Sequence, residues 1–243
     1  MHTGPLLDTD KESAPLMNAM WNDLAPALWP AFWVTIQLTV LSAIGSFLLG
    51  TVLTAMRVSP VSIMRRLSVL YINTVRNTPL TLIVLFCSIG LYGNLGLTLA
   101  PDNSHFIESN NFRLAVLGFV LYTSAFVAES LRSGINTVHF GQAEAARSLG
   151  LTFPQIFGSV IFPQALRAAI VPLGNTLIAL TKNTTVASVI GVAEASLLMK
   201  ATIENHAAQG FLIFGIFALG FLILTLPMGL LVSHYSTTLA VKN

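Results

Sequence analysis

AFWVTIQLTVLSAIGSFLLGTVLTAM, residues 31–56, decides the fold class, because not one side chain in it ionises. A helix needs about 20 consecutive, mostly apolar residues to cross the hydrocarbon core of a bilayer. The uncharged territory around this run is wider still, reaching from Asp23 to Arg57. Two more such tracts lie between Arg76 and Asp102 and, two histidines aside, between Glu204 and Lys242. The chain of 243 residues is 54% hydrophobic and 9% charged, whereas a soluble domain carries about a quarter charged residues to solvate its surface. The expected class is an all-α membrane protein.

Five transmembrane helices are predicted, at residues 31–56, 78–99, 114–133, 168–192 and 208–234. An odd number places the termini on opposite sides. With the N-terminus outside, the inner segments hold Arg57, Arg65, Arg66, Arg132, Arg147, Arg167 and Lys242, against Lys11, Arg113 and Lys200 outside. The bias of basic residues toward the cytoplasm therefore predicts a multi-pass protein of the cytoplasmic membrane, N-terminus out and C-terminus in. Trp21, Trp29 and Trp33 all precede the first span, where amphipathic rings settle at headgroup level. The domain expectation is an extracytoplasmic tail with this anchor over 1–30, a membrane domain over 31–234 and a cytoplasmic tail over 235–243. Acidic Asp8, Asp10 and Glu12 near the start argue against a cleavable signal peptide.

Several functions are excluded on composition and motif. The net charge of +2 has no basic run longer than Arg65-Arg66, so no nucleic-acid partner is expected. Cys87 is the single cysteine, which leaves no internal disulfide or cysteine metal site. No phosphate loop, H-E-x-x-H zinc pair or G-x-S-x-G nucleophile elbow occurs. His2, His105, His139, His206 and His234 are scattered over tails and loops. No catalytic residue, metal site or cofactor is expected on this chain.

Within the first span Ser42, Ser46, Gly50 and Thr54 recur every fourth residue, lining one face with small side chains for close helix approach. The second span is preceded by a helical stretch over 65–77, and Pro79 then removes a backbone donor, so a kink or break is expected there. The segment 139–167 is too polar to span and too patterned for a random loop. Residues 142–149 read as a helix stopped by Gly150 in the left-handed region, and Thr152 with Gln155 fit a capping box that tolerates Pro154 in the next first turn. A cytoplasmic helix-turn-helix results.

This hairpin carries Glu144-Ala145-Ala146, then Gly150, then Val160-Ile161-Phe162-Pro163, and resembles the EAA signature of ABC-importer permeases, with Val160 and Phe162 where isoleucine and leucine are commoner. The segment 71–80, from Tyr71 through Arg76, Asn77, Thr78 and Pro79 to Leu80, resembles the opening of the second span in polar amino-acid permeases. With Gly141-Gln142, Pro163-Gln164-Ala165 and Asn175 through Lys182-Asn183-Thr184, the resemblance covers about residues 30–235, and across 111–149 and 163–206 it is close to glutamate-uptake permeases. It implies the type I importer permease fold and a polar L-amino-acid substrate, glutamate on resemblance alone. It also implies two cytoplasmic ATPase subunits holding ATP and Mg, an extracellular amino-acid-binding protein and a second, homologous permease chain. In this family the hairpin docks into a cleft of the ATPase, which points to Gln142, Glu144, Ala145, Ala146, Gly150 and Pro163 as coupling residues.

The residues expected on a substrate path or gate are Arg76, Asn77, Thr78, Pro79, Asn175, Thr181, Lys182, Asn183 and Thr184. Lys182, mid-span, carries a charge that costs about 2.5–3.5 kcal/mol there on the insertion scale and should face the bundle interior. It is either a route residue or a structural cation. Arg76 either forks onto a carboxylate, such as the one every amino acid carries, or snorkels to the headgroups, with Glu129 a candidate counter-ion. A secondary transporter or channel is the alternative, although it has no use for an ATPase dock. A membrane scaffold is a third class and has no need of Lys182.

Overall fold

The computed structural model describes residues 9–239. His2, Asp8, Lys242 and the end of the C-terminal tail lie outside it. Helix α1, Thr9–Val58, runs for 50 residues. The stretch set apart as a tail is thus helical from Thr9 and continuous with the first span. Near its start Met20 and Leu24 are fully buried, in a cluster with Phe32, Ala195, Ile213 and Phe217. Trp29 and Trp33 stack with centroids 6.2 Å apart and remain exposed.

Helix α2, Ser62–Arg76, ends before Pro79, and α3, Leu80–Leu85, continues as a wide π-helical segment to Asn94. The two bodies meet at 105°, the break expected of a residue without an N–H. The predicted extension to residue 99 is absent, since the chain leaves the helix after Asn94 and turns at Gly96, whose φ of +67° suits glycine. Helix α4, Phe106–Ile135, is the central element and is longer than the predicted third span. Among the described residues three helices are individually long and apolar enough to cross a membrane, and up to five spans result if each of two bent pairs counts as one.

After α4 come α5, Phe140–Ser148, and α6, Phe153–Ile156. A π-helical turn, Phe157–Ile161, leads from α6 into α7, Phe162–Ala168. Pro163 cannot donate to the carbonyl four residues earlier, and the backbone widens just ahead of it. Helix α8, Ile170–Asn183, tightens into a 3-10 segment, Thr184–Ile190, stopped by Gly191 at φ +77°. Helix α9, Ala195–Asn205, fills the connection between the predicted fourth and fifth spans, and α10, Gly210–Leu239, completes the described chain.

The small-residue stripe of α1 does pack. Ser42, Ser46, Gly50 and Thr54 are all buried, and a Cβ at Gly50 would stand 2.6 Å from Val127 Cγ1 and 3.0 Å from the Ser124 carbonyl of α4. Thr54 Oγ1 donates to the Gly50 carbonyl at 2.7 Å and reaches Ala128 O at 3.4 Å. The Ser46 and Thr54 hydroxyls thus bond to carbonyls of α1 itself while permitting close approach, whereas the buried Ser42 Oγ finds no partner among the described residues. Cys87 is buried in the core formed by Leu38, Val84, Leu114, Phe119 and Ala187. Helix α10, by contrast, keeps most of its apolar side chains exposed, as a lipid-facing helix does.

Candidate functional site

The stop at Gly150 and the cap at Thr152 fall where the sequence puts them, while α5 begins at Phe140 rather than Gln142 and the second arm is interrupted by the π-helical turn. At the end of α5 the Gly150 N–H donates to Arg147 O at 3.0 Å and the Leu151 N–H to Ala146 O at 3.2 Å, with Gly150 at φ +84°. That pair of bonds is a Schellman stop, which satisfies carbonyls the helix end leaves free. The Thr152 N–H then donates to Gln155 Oε1 at 2.8 Å, the reciprocal half of a capping box that opens α6. Gln142 Oε1 accepts from Gln164 Nε2, tying α5 to α7.

Of the expected coupling residues, Gln142, Glu144, Ala145, Gly150 and Pro163 are exposed. Ala146, the remaining one, is buried at 6% exposure, on the face that α5 turns toward the second arm of the hairpin. Two residues not singled out from the sequence stand out instead. Phe140 and Leu149, at the two ends of α5, are 86% and 82% exposed. Their signal was an apolar side chain at each boundary of an otherwise polar helix. Gly134, near the end of α4, lets α7 approach so closely that a Cβ there would lie 2.1 Å from Ala165 O. The hairpin is therefore anchored on backbone contact with the membrane helices.

At the same end of the molecule Glu129 of α4 gathers three guanidinium groups from three helices. Arg57 of α1 donates a hydrogen bond to its Oε1. Arg76, at the end of α2, lies 3.6 Å from the same oxygen, and Arg132 of α4 lies 3.8 Å from Oε2. The expected Arg76–Glu129 pairing is present, but Arg57 is the closer partner. Arg57 and Arg132 had been counted only as orientation signals, since sequence spacing does not disclose that three helix ends converge.

The Arg76 guanidinium also sits over the Phe126 ring, 5.8 Å from its centroid, a cation–π arrangement. Phe126 lines a hollow of about 120 Å³ with Tyr122, Thr176 and Asn183. Asn77 and Thr78 turn back on their own helix, donating to Asn73 O and Thr74 O at 2.8 Å, and Pro79 is exposed at the bend. The remaining path candidates on α8 separate by face. Thr181 and Thr184 are buried: Thr181 Oγ1 donates to Leu177 O at 3.0 Å and Thr184 Oγ1 to Thr181 O at 2.7 Å. Their hydroxyls bond to carbonyls of their own helix, and Thr181 Oγ1 also meets Met228 Sδ at 3.5 Å. Asn175 and Lys182 share another face and are exposed. Lys182 therefore departs from the expectation of a bundle-facing cation, because in this chain its turn of α8 directs it outward.

A separate titratable site lies between the fourth and fifth spans. Glu194 is fully buried and caps α9, accepting from the Ser196 N–H at 2.8 Å and the Leu197 N–H at 3.0 Å. Burial raises its carboxyl to about 7, the two backbone bonds and the Lys200 charge opposing the rise. The adjacent Ala195 N–H donates to Thr35 Oγ1 at 3.2 Å, joining α9 to α1.

Comparison with known proteins agrees with this architecture. The chain is 75% identical over 228 residues, 93% of its length, to the whole of the glutamate transport system permease protein GluC of Corynebacterium efficiens. It is 34% identical to the probable glutamine ABC transporter permease protein GlnM of Bacillus subtilis, over 84% of this chain and 88% of that one. A crystal structure of an amino acid ABC transporter with histidines superposes with a TM-score of 0.73 at 29% identity, covering 88% of this chain and 94% of its own. Residues 46–239 match the family model of the binding-protein-dependent transport system inner membrane component, and the chain belongs to that family.

Proposed function

We propose that this chain is the permease subunit of an ATP-binding-cassette importer that carries a polar L-amino acid, glutamate, across the cytoplasmic membrane by alternating access. The observation that carries the reading is the identity extending over the whole length of a glutamate permease. The hairpin supports the ATP-driven mode, since an exposed Glu144-Ala145 face flanked by Phe140 and Leu149 offers a partner both charge and apolar anchors.

In this reading the chain performs no covalent chemistry. Two cytoplasmic ATPase subunits hold ATP and Mg and grip the hairpin through Gln142, Glu144, Ala145 and Pro163. An extracellular binding protein delivers the amino acid, and a second homologous permease faces Asn175 and Lys182. The N-terminus is outside and the C-terminus cytoplasmic, so the hairpin and the Glu129 cluster share the inner face. Nucleotide drives the cycle by favouring one access state over the other, because only differential affinity shifts such an equilibrium. Backbone contact at Gly134 passes movement of the hairpin to α4 without slack.

The test is uptake of labelled L-glutamate into proteoliposomes containing the complete complex and its binding protein. Accumulation that requires ATP inside supports the importer. Accumulation driven equally well by an ion gradient without ATP would establish a secondary transporter instead.

A further inference from the structure

Three guanidiniums around one carboxylate leave an imbalance. Among the described residues no carboxylate other than Glu129 lies within 4.0 Å of Arg57, Arg76 or Arg132. The three are not equivalent. Arg57 is 13% exposed and hydrogen-bonded to Glu129, whereas Arg76 and Arg132 are 44% and 45% exposed. At 3.6 and 3.8 Å they feel the Glu129 charge without a hydrogen bond to it, since such bonds need donor and acceptor within about 3.2 Å. Their planar forks remain free to accept a second carboxylate in parallel bonds, which a lysine cannot supply.

We propose that Arg76 and Arg132 form a carboxylate-binding site at the end of the translocation path, and that Glu129, held by Arg57, competes with the ligand for it. The ligand class is a small carboxylate, that of an amino acid, and this rests on the importer reading. Placement supports a ligand over a mere structural lock. Arg76 is held over Phe126, whose ring also lines the hollow beside Thr176 and Asn183, so the guanidinium and the hollow share one wall. Glu129 keeps the two free forks from being permanently uncompensated and lets the ligand go. A carboxylate arriving from the path gains two guanidiniums, and its departure costs less because Glu129 stands within 4 Å to take up their charge again.

The competition gives the site a signature in the sign of a mutational effect. Binding of labelled L-glutamate to the nucleotide-free, detergent-solubilised full complex is measured by equilibrium dialysis, each variant having first been shown to co-purify with its partners. Arg132→Lys should weaken binding about tenfold, as loss of a fork does. Glu129→Gln should tighten it about tenfold by removing the competitor. If Glu129→Gln does not assemble, Glu129→Asp, whose shorter side chain withdraws from both forks, should tighten binding in the same direction.

Unlabelled L-glutamine displacing the label as well as L-glutamate assigns the α-carboxylate to the site. Displacement by L-glutamate alone assigns the side-chain carboxylate. Equal displacement by the diamide of L-glutamate, which has no carboxylate, overturns the proposal. So does a Kd that stays unchanged or rises in the Glu129 variants, which makes the cluster a structural lock. ATP-driven uptake by the unmodified complex is measured in parallel. Its absence overturns the importer reading, whereas normal uptake with indifferent variants overturns only the site.

Discussion

Replacing Gly134 with alanine adds one methyl group where α4 and α7 touch backbone to backbone. The new carbon would lie 2.1 Å from the Ala165 carbonyl oxygen, 2.9 Å from its carbon and 3.1 Å from Ala169 Cβ. Ordinary C···O contacts begin near 3.3 Å, so the helices must part by roughly 1 Å. Neither obstacle at Ala165 is a flexible side chain that can rotate away. Overpacking of this kind costs about 1–3 kcal/mol, and here it also loosens the attachment of the hairpin. Gly134→Ala should therefore lower the thermal unfolding midpoint of the purified complex by several degrees and reduce ATP-dependent uptake in proteoliposomes. Gly215→Ala is the matched control: it lies in α10 with nothing within 4 Å of the added carbon. Relief of glycine's chain entropy should make it neutral or stabilising by about 0.5–1 kcal/mol. Equal midpoints and equal uptake for Gly134→Ala and the native complex would refute the backbone-contact account of the anchor.

Gly150→Asp places a side chain at φ +84°, a conformation costing a non-glycine residue about 1–2 kcal/mol. It should uncouple ATP hydrolysis from uptake while membrane abundance stays normal, as compared by immunoblot and transport assay. Glu144→Lys, on the exposed face of α5, should insert equally well yet reduce co-purification of the ATPase, and undiminished co-purification would remove Glu144 from the dock. A cysteine replacing Asp102 should react with an impermeant thiol reagent from outside intact cells and one replacing Gln142 should not; the reverse pattern overturns the orientation. Glu194, with its folded-state value raised to about 7, binds more protons folded than unfolded. Its contribution is therefore full below the usual carboxylate range and is lost as pH rises through about 7. Glu194→Gln should accordingly gain thermal stability over the native complex at pH 8 and gain little at pH 5, and a gain independent of pH would refute the assignment.

Local signals in the sequence were legible where local physics controls the outcome. Pro79 lacks a donor wherever it sits, so the break before α3 follows from one residue, although its 105° angle does not. The Gly150 stop and the Thr152–Gln155 cap are likewise complete within a few residues, and both appear as expected. Helix α9 also carries a local signal, Glu194 as its N-cap after the left-handed Gly191, but at 11 residues it is too short to register as a span.

What the sequence could not disclose is relative rotation of packed helices. Thr181, Lys182, Asn183 and Thr184 are consecutive, and polarity alone grouped them into one route. In a helix four consecutive residues point in different directions, and the packing of α8 buries Thr181 and Thr184 while turning Lys182 out. The Glu129 cluster is the same problem in three helices. Arg57, Arg76 and Arg132 belong to α1, α2 and α4, and their convergence depends on the crossing of α1 over α4 that Gly50 permits and on the bend that Pro79 imposes. A residue pattern chosen for close packing thus decides where the charge collects. Widening the α1–α4 contact would separate Arg57 from Glu129 and release that carboxylate toward Arg76 and Arg132.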